Sequence, residues 1–81
     1  MREARGERRA MGDNPYNLTR REREVLALLA GGKTNRLIAR ELHVREGTVK
    51  SHLSSVYVKL GVSNRTEAAV VGVRIDPPLA S

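Results

Sequence analysis

The sequence has no cysteine, phenylalanine or tryptophan, and it has only two tyrosines. The absence of cysteine excludes a disulfide framework, a thiolate nucleophile and a zinc–thiolate site, and it leaves the redox compartment open. Because aromatic side chains are nearly missing, the core has to be built from leucine, valine, isoleucine and alanine. At 81 residues, the chain predicts one small domain that buries only about 60% of its unfolded surface.

Long apolar runs are also missing, and acidic residues are outnumbered. The longest apolar run is too short to cross a membrane, and no apolar stretch follows the N-terminal arginines as in a signal peptide. The net charge is +6, with a pI near 10.8. This balance favours an anionic partner, most often nucleic acid, although many basic domains merely have a soluble basic surface. We expect a soluble, intracellular protein without a membrane partner.

No combination of side chains in the sequence indicates catalysis. The chain is short for a substrate cleft, and it has no nucleophile–base pair, carboxylate dyad or glycine-rich phosphate loop before a helix. His43 and His52 have no ligand partners at metal spacing. The sequence therefore predicts a protein that is not an enzyme and has no catalytic residue, cofactor or metal site.

The chain divides into a tail, a domain and a short C-terminal end. Residues 1–17 are charged, poor in large apolar residues and close on a turn signal at Pro15, so we predict a disordered tail or linker. That tail has four arginines against three acidic residues, so +5 of the net charge belongs to the rest of the chain. The domain is predicted over residues 18–75, followed by a tail at 76–81.

Capping signals mark the first two predicted helices. Thr19 and Glu22 fit a capping box at the start of the first helix. Gly31-Gly32 ends that helix, because a left-handed residue is needed there. The second helix is predicted to start at Thr34 and to stop by His43, after which only a short turn precedes the third helix.

Residues 44–60 contain the third helix, whose two faces differ in character. At roughly 100° per residue, its apolar side chains form one narrow stripe. That stripe consists of Val49, Leu53, Val56 and Leu60. The opposite side has a small-residue, basic-edged stripe of Lys50, Ser51, Ser54, Ser55 and Val58. Two short helices joined by a tight turn are typical of a helix-turn-helix. With a fourth helix predicted from Asn64, the fold class is all-α with four helices.

Six separated segments form one ordered pattern along the predicted domain. They lie at residues 18–26, 32–35, 38–39, 47–53, 59–62 and 64–68. In this order and spacing they resemble the LuxR/FixJ/NarL-type DNA-binding domain. The resemblance implies a four-helix domain that binds DNA through its third, recognition helix and dimerises through its fourth. It also implies a place at the C-terminal end of a bacterial transcriptional regulator.

Base contacts are predicted from the outer stripe of the third helix. By resemblance, Lys50, Ser51 and Ser54 occupy the positions from which the family contacts bases. The three donors of Lys50 suit guanine O6 and N7, whereas the two serines discriminate weakly between bases. Fewer direct base contacts are therefore expected, with more specificity from DNA shape and deformability. Val58 either touches a thymine methyl, is merely exposed, or packs against a neighbour.

Phosphate contacts are predicted at helix ends and on the flanks of the third helix, and they should supply most of the affinity. Free amides and the helix dipole favour an anion at the start of the second helix. The candidate residues are Thr34, Asn35, Arg36, Arg45, Thr48, His52, Lys59 and Arg65. For each of them, the alternative interpretation is a solvated helix face.

The fourth helix has a second apolar stripe besides the one that faces the core. Ala69, Val70 and Val73 form this stripe, and a small, self-complementary apolar face is what a two-fold dimer needs. The alternative is that these residues are tolerated singly on a surface, which is normal. A dimer would place two recognition helices about one DNA turn apart, roughly 10 bp.

Three residues depart from the family pattern. His43 replaces a common glycine at the end of the second helix, and Arg45 replaces a common serine cap before the third. Because arginine cannot accept an amide hydrogen bond, a loss of about 1 kcal/mol in stability is expected, and our hypothesis is that Arg45 instead lies beside a DNA phosphate at that helix end. Leu37 replaces a usual acidic residue, so an exposed Leu37 marks a contact with another domain or RNA polymerase, or nothing.

Two interpretations of function remain at this point. The favoured one is a cytoplasmic, DNA-binding transcriptional regulator, or its effector domain, acting as a dimer at the bacterial nucleoid. The other is a helical module on the same fold that binds a protein and no longer recognises DNA. This second interpretation is supported by the outer stripe of α3, which consists mainly of short serine side chains and Val58. Salt-dependent binding to duplex DNA, lost with Lys50→Ala, separates the two interpretations.

Overall fold

The computed structural model describes residues 16–75 of the protein. Within that range the chain forms four α-helices and no strand: α1 (Arg20–Ala30), α2 (Asn35–Leu42), α3 (Glu46–Leu60) and α4 (Arg65–Ile75). The predicted all-α fold with four helices is confirmed. The tails predicted at 1–17 and 76–81 lie outside the described residues, apart from Tyr16 and Asn17. Tyr16 packs against the core, so the ordered domain begins before Leu18.

Helix α1 begins and ends as its sequence predicts. The Thr19 hydroxyl accepts a hydrogen bond from the amide of Glu22 at 3.1 Å, and the Glu22 carboxylate accepts one from the amide of Thr19 at 2.9 Å. The capping box is therefore complete. Gly31 caps the C-terminus, and Gly32 follows with a φ of 91°, a conformation that glycine adopts without steric cost.

The connection between α2 and α3 is a tight turn with two unusual residues. Thr34 caps α2 by accepting a hydrogen bond from the amide of Leu37 at 3.2 Å. His43 ends α2 in the left-handed region with a φ of 59°, which a non-glycine residue adopts less readily. Arg45 takes the N-cap position of α3 with extended backbone and makes no side-chain hydrogen bond to the helix. The first turn of α3 thus lacks a side-chain cap, as the sequence predicts.

Helix α3 is the longest helix and joins the other three. Its predicted apolar stripe is buried: Val49, Leu53, Val56 and Leu60. These side chains form one cluster with apolar residues of α1 and α2, including the fully buried Val25 and Ile38. Gly61 ends α3 in the left-handed conformation, with a φ of 71°. Because its inner face is buried along its whole length, α3 presents a fixed outer face to solvent.

Helix α4 covers the core by packing mainly against α1. Ala68 and Gly72 are buried at this contact, and Val71 and Ile75 are half-buried against the core. A Cβ atom added at Gly72 would lie 3.0 Å from the Leu26 side chain and 3.1 Å from Cβ of Ala30. The two helices therefore approach closely only because residue 72 has no side chain.

The start of α4 differs from a simple capping box in one bond. Asn64 accepts a hydrogen bond from the amide of Glu67 at 2.9 Å, as predicted. The Glu67 carboxylate accepts from the amide of Ser63 at 2.8 Å, one residue before the cap. The acidic side chain therefore fixes the loop that precedes α4 as well as the first turn of the helix.

Candidate nucleic-acid interface

The outer face of α3 is exposed from its first turn to its last. Lys50, Ser51 and Ser54 are all exposed, and Val58 is 81% exposed. Val49 and Leu53, which alternate with them along the helix, are buried and fix its orientation. The structure thus brings the three predicted base contacts together on one stripe of a rigid helix.

Basic side chains are divided between those with partners and those without. Within residues 16–75, Lys33 pairs with Glu41 at 2.8 Å, and both Arg20 and Arg21 pair with Glu24. Six other basic side chains form no ion pair or hydrogen bond in this part of the chain: Arg23, Arg36, Arg40, Arg45, Lys50 and Arg74. Four of these six lie on α2, the turn after it and α3.

Three of the unpaired arginines surround one groove between α2 and the start of α3. The groove has a volume of about 530 Å³ and is lined by Arg36, Ala39, Arg40, Val44, Arg45 and Glu46. Lys50 lies one helical turn beyond Glu46 and adds a further positive charge on the outer face of α3. Arg40 is not among the phosphate contacts predicted from the sequence. Its spacing of four residues from Arg36 was the available signal, because such residues share a helix face.

Two of the residues predicted to contact phosphate, Asn35 and Arg65, form a hydrogen bond with each other at the start of α2. The Arg65 guanidinium donates to the side-chain oxygen of Asn35 at 2.8 Å and to the backbone carbonyl of Lys33 at 2.6 Å. These bonds tie the first residue of α4 to the first residue of α2, although the two helices do not pack together. Thr34, Asn35 and Arg65 therefore form one polar cluster beside the free amides of α2.

Lys59 lies apart from the other predicted phosphate contacts. Its ammonium donates to the carboxylate of Glu22 at 2.8 Å and to the backbone carbonyl of Asn17 at 3.3 Å. This pair joins the last turn of α3 to the first turn of α1. From the sequence, Glu22 is predicted only as a capping residue, because nothing local relates two side chains that are 37 positions apart.

Glu22 is a buried carboxylate, with 5% of the residue exposed. Burial alone would raise its pKa. Hydrogen bonds from Lys59, the Thr19 amide and Ser55, together with the charge of Lys59, outweigh burial and lower the pKa from 4.5 to about 2. Glu22 is therefore charged at neutral pH and holds Lys59 in place on the side of α3 that faces α1.

The remaining predicted phosphate contacts lie on α3. Thr48 is exposed in its first turn, next to the uncapped helix end at Arg45, whereas His52 is half-buried. Within residues 16–75, no group of three histidine or acidic side chains is placed to hold a metal ion. Over the same residues, no helix combines the length and the apolar character that crossing a membrane requires.

The predicted dimer face is exposed on α4. Val70 is 49% exposed, Val73 is 40% exposed, and Ala69 between the two stripes is half-buried. Ala68 and Gly72 face α1 instead, so α4 has the two apolar sides that the sequence predicts. Leu37, on α2, is 40% exposed and lies apart from this face.

Comparison with known proteins matches the domain to a family over most of its length. Residues 16–71 match the family described as bacterial regulatory proteins, luxR family. The chain is 49% identical over 61 residues to the uncharacterized transcriptional regulatory protein YhcZ of Bacillus subtilis, which covers 75% of this chain and 28% of YhcZ. It is 52% identical over 58 residues to the transcriptional regulatory protein LnrK of the same species, covering 72% of this chain and 26% of LnrK.

A shorter relative matches over most of both chains. The spore germination protein GerE of Bacillus subtilis is 48% identical over 58 residues, which cover 72% of this chain and 78% of GerE. By contrast, the chain spans only about a quarter of the length of YhcZ and LnrK. The chain belongs to the luxR family of bacterial regulatory proteins and contains its helix-turn-helix DNA-binding domain.

Proposed function

We propose that the protein binds double-stranded DNA in a sequence-specific manner, with α3 in the major groove, and regulates transcription as a two-fold dimer. The observation that carries this proposal is the group of cations on α2, the following turn and α3 that have no partner within residues 16–75, next to the exposed polar stripe of α3. An α-helix with its side chains is about 10–12 Å wide, which matches the width of the major groove.

Base recognition is assigned to the first half of the outer stripe. Lys50 is the one long donor there, and a bidentate contact to guanine O6 and N7 contributes about 1–3 kcal/mol of discrimination against the wrong base. Ser51 and Ser54 lie beside it and accept or donate to either kind of base. A surface with one long side chain among short ones gains further specificity from the deformability of the DNA.

Phosphate binding is assigned to the residues that surround this stripe. They are Thr34, Asn35, Arg36, Arg40, Arg45, Thr48, His52 and Arg65. Lys59 is left out, because the buried Glu22 carboxylate and the Asn17 carbonyl already hold its ammonium group. Its role in this proposal is to anchor the last turn of α3 to α1.

Dimerisation is assigned to Ala69, Val70 and Val73 on α4. If two copies meet there about a two-fold axis, their recognition helices lie about one DNA turn apart and contact two half-sites. Action in the bacterial cytoplasm is a further prediction, which rests on the family resemblance. The exposed Leu37, which replaces a usual acidic residue, marks a contact with another domain or RNA polymerase, or nothing.

Selection of bound sequences from a random DNA pool tests the proposed function. We expect an enriched two-fold motif with half-site centres roughly 10 bp apart. We also expect affinity that falls steeply with salt, because neutralised phosphates release counterions. The variant Lys50→Ala should lose preference for the motif. If no motif is enriched and binding to duplex DNA does not depend on salt, the alternative of a protein-binding module is favoured instead.

A charge-matched pair of variants tests the groove of arginines. Arg40→Ala and Arg20→Ala each remove one positive charge, but Arg20 lies on α1 and pairs with Glu24. We expect Arg40→Ala to weaken binding about equally on all sequences and to lower the magnitude of the salt slope by about 1. Arg20→Ala should leave the slope unchanged. Equal effects from the two variants would show that only the net charge matters.

A further inference from the structure

Val58 is the most exposed large hydrophobic residue of the described chain. It is 81% exposed, compared with 49% for the next residue, Val70. It does not pack against a neighbouring helix, so one of the three alternatives that the sequence leaves open is excluded. At roughly 100° per residue, Val58 projects between Ser54 and Ser51, in the middle of the outer stripe of α3.

The position of this side chain is fixed by its neighbours on both sides. Tyr57 is half-buried against the core, Lys59 is held by Glu22, and Leu60 is buried. A valine in a helix is also restricted mostly to one χ1 rotamer, because its Cβ is branched. The two methyl groups of Val58 are therefore held at a defined place on the outer face, with little conformational entropy left to lose on binding.

The distance from the proposed base contacts keeps Val58 within reach of the groove. Four residues separate it from Ser54, which corresponds to about 6 Å along the helix axis. Because base pairs are about 3.4 Å apart, this distance spans at most about two base pairs, so Val58 lies within about two base pairs of the base that faces Ser54. Its side chain has no donor or acceptor, so it cannot use the polar groups of the base edges. The apolar feature that the major groove offers is the C5-methyl group of thymine.

We propose that Val58 is a specificity-determining residue that contacts a thymine methyl group within about two base pairs of the position of Ser54. This inference rests on the proposed function, since it requires α3 to lie in the major groove. It adds a fixed thymine to each half-site. It also assigns direct base recognition to the second half of α3. In the first half of the outer stripe, Lys50 is the one long side chain.

Replacement of thymine by deoxyuridine tests the contact, because it removes the methyl group and leaves the base pair unchanged. In the DNA motif selected by the full chain, each thymine is replaced in turn in both half-sites, and binding is measured for the wild type and for Val58→Ala. We expect one position where the wild type loses about three- to fivefold in affinity per half-site. Val58→Ala should bind the unmodified motif more weakly by a similar factor and be insensitive to uracil there.

Two controls keep the outcome specific to the methyl group. Leu37→Ala shortens another exposed apolar side chain, which lies outside the proposed DNA contacts, and it should retain the wild-type sensitivity to uracil at that position. Thermal unfolding should show that Val58→Ala is folded, as expected for an exposed helical site where alanine has the better propensity.

The possible results separate this inference from the proposed function. If the protein binds DNA but Val58→Ala keeps the wild-type uracil profile, or if no thymine is sensitive, the role of Val58 is disproved and the proposed function stands. If neither protein binds duplex DNA, both proposals fail.

Discussion

Among single residues, Arg45 occupies a helix-capping position that its side chain cannot fill. Serine, threonine, aspartate and asparagine accept a hydrogen bond from the first-turn amides, whereas a guanidinium only donates. In the structure, Arg45 makes no such bond, and its side chain lines the groove with Arg36 and Arg40. Arginine at this position lowers the stability of α3. Binding of an anion by the Arg45 side chain would explain why arginine is present there.

We predict that Arg45→Ser raises the stability of the domain and weakens its DNA binding. The serine cap should raise the free energy of unfolding by about 1 kcal/mol, measured by urea or thermal unfolding. DNA binding should weaken, and the magnitude of its salt slope should fall by about 1. A stabilised variant with unchanged affinity and salt slope would show that Arg45 does not contact phosphate.

Glu22 links the acid stability of the fold to the last turn of α3. Its pKa is lowered to about 2, so its charged form stabilises the folded state above the ordinary pKa of 4.5. That stabilisation is lost as the pH falls from near the unfolded pKa towards the folded one. A shift of this size corresponds to about 3 kcal/mol, which is a large part of the stability of a small domain.

We predict that Glu22→Gln flattens the acid side of the stability profile. Urea unfolding at several pH values between 7 and 2.5 should show the wild type losing most of that contribution, whereas the variant starts less stable and changes less. Glu24→Gln is a suitable control, because Glu24 pairs with Arg20 and Arg21 on the exposed side of α1. If Glu24→Gln flattens the profile as much as Glu22→Gln, the buried pair is not the cause.

At the scale of the helices, Gly72 determines how closely α4 approaches α1. We predict that Gly72→Ala lowers the free energy of unfolding by about 1 kcal/mol. Overpacking against Leu26 and Ala30 costs about 1–3 kcal/mol, and the better helix propensity of alanine offsets about 1 kcal/mol. Leu26 is itself buried and has little room to move.

The same substitution at Gly47 is a matched control with the opposite expected sign. Gly47 lies in α3, and a Cβ atom added there would meet no other atom within 4 Å. Gly47→Ala should therefore stabilise the domain by up to about 1 kcal/mol in the same unfolding assay. Destabilisation by both substitutions would indicate a general effect of losing glycine rather than a contact between α1 and α4.

The helix ends and faces could be predicted from the sequence because they depend on local spacing. The capping box at Thr19, the end of α1 at Gly31-Gly32 and the buried stripe of α3 all follow from residues within one or two turns. The Glu22–Lys59 and Asn35–Arg65 contacts could not be predicted, since they join residues 37 and 30 positions apart. A lysine on the flank of α3 looks the same in sequence whether it faces DNA or a buried carboxylate.

At the scale of the whole molecule, the exposed side of α4 supports the proposed dimer. We predict that Val73→Asp disrupts it. Leu37→Asp is matched to it, because both residues are 40% exposed and both changes replace an apolar side chain by the same acid. In sedimentation, Val73→Asp should shift the protein towards monomer, whereas Leu37→Asp should not, because a charge on the α4 face would be desolvated in the dimer.

DNA binding should show the same difference. Val73→Asp is expected to lose at least about tenfold in affinity for a duplex with two half-sites and little for a single half-site, because only the linked arrangement gains from avidity. If both variants have the oligomeric state and the affinity of the wild type, α4 is not the dimer interface.

The bond between Lys59 and the Asn17 carbonyl has a practical consequence for labelling this protein. The backbone at Asn17 lies against the last turn of α3 on the side that faces α1, so a fluorophore attached near residue 16 would report on the docking of α3 against α1 and leave the outer face of α3 free. A fluorophore attached at the end of α4, near Ile75, would sit beside the dimer face. Two labelled versions of one small domain would therefore report separately on unfolding and on self-association.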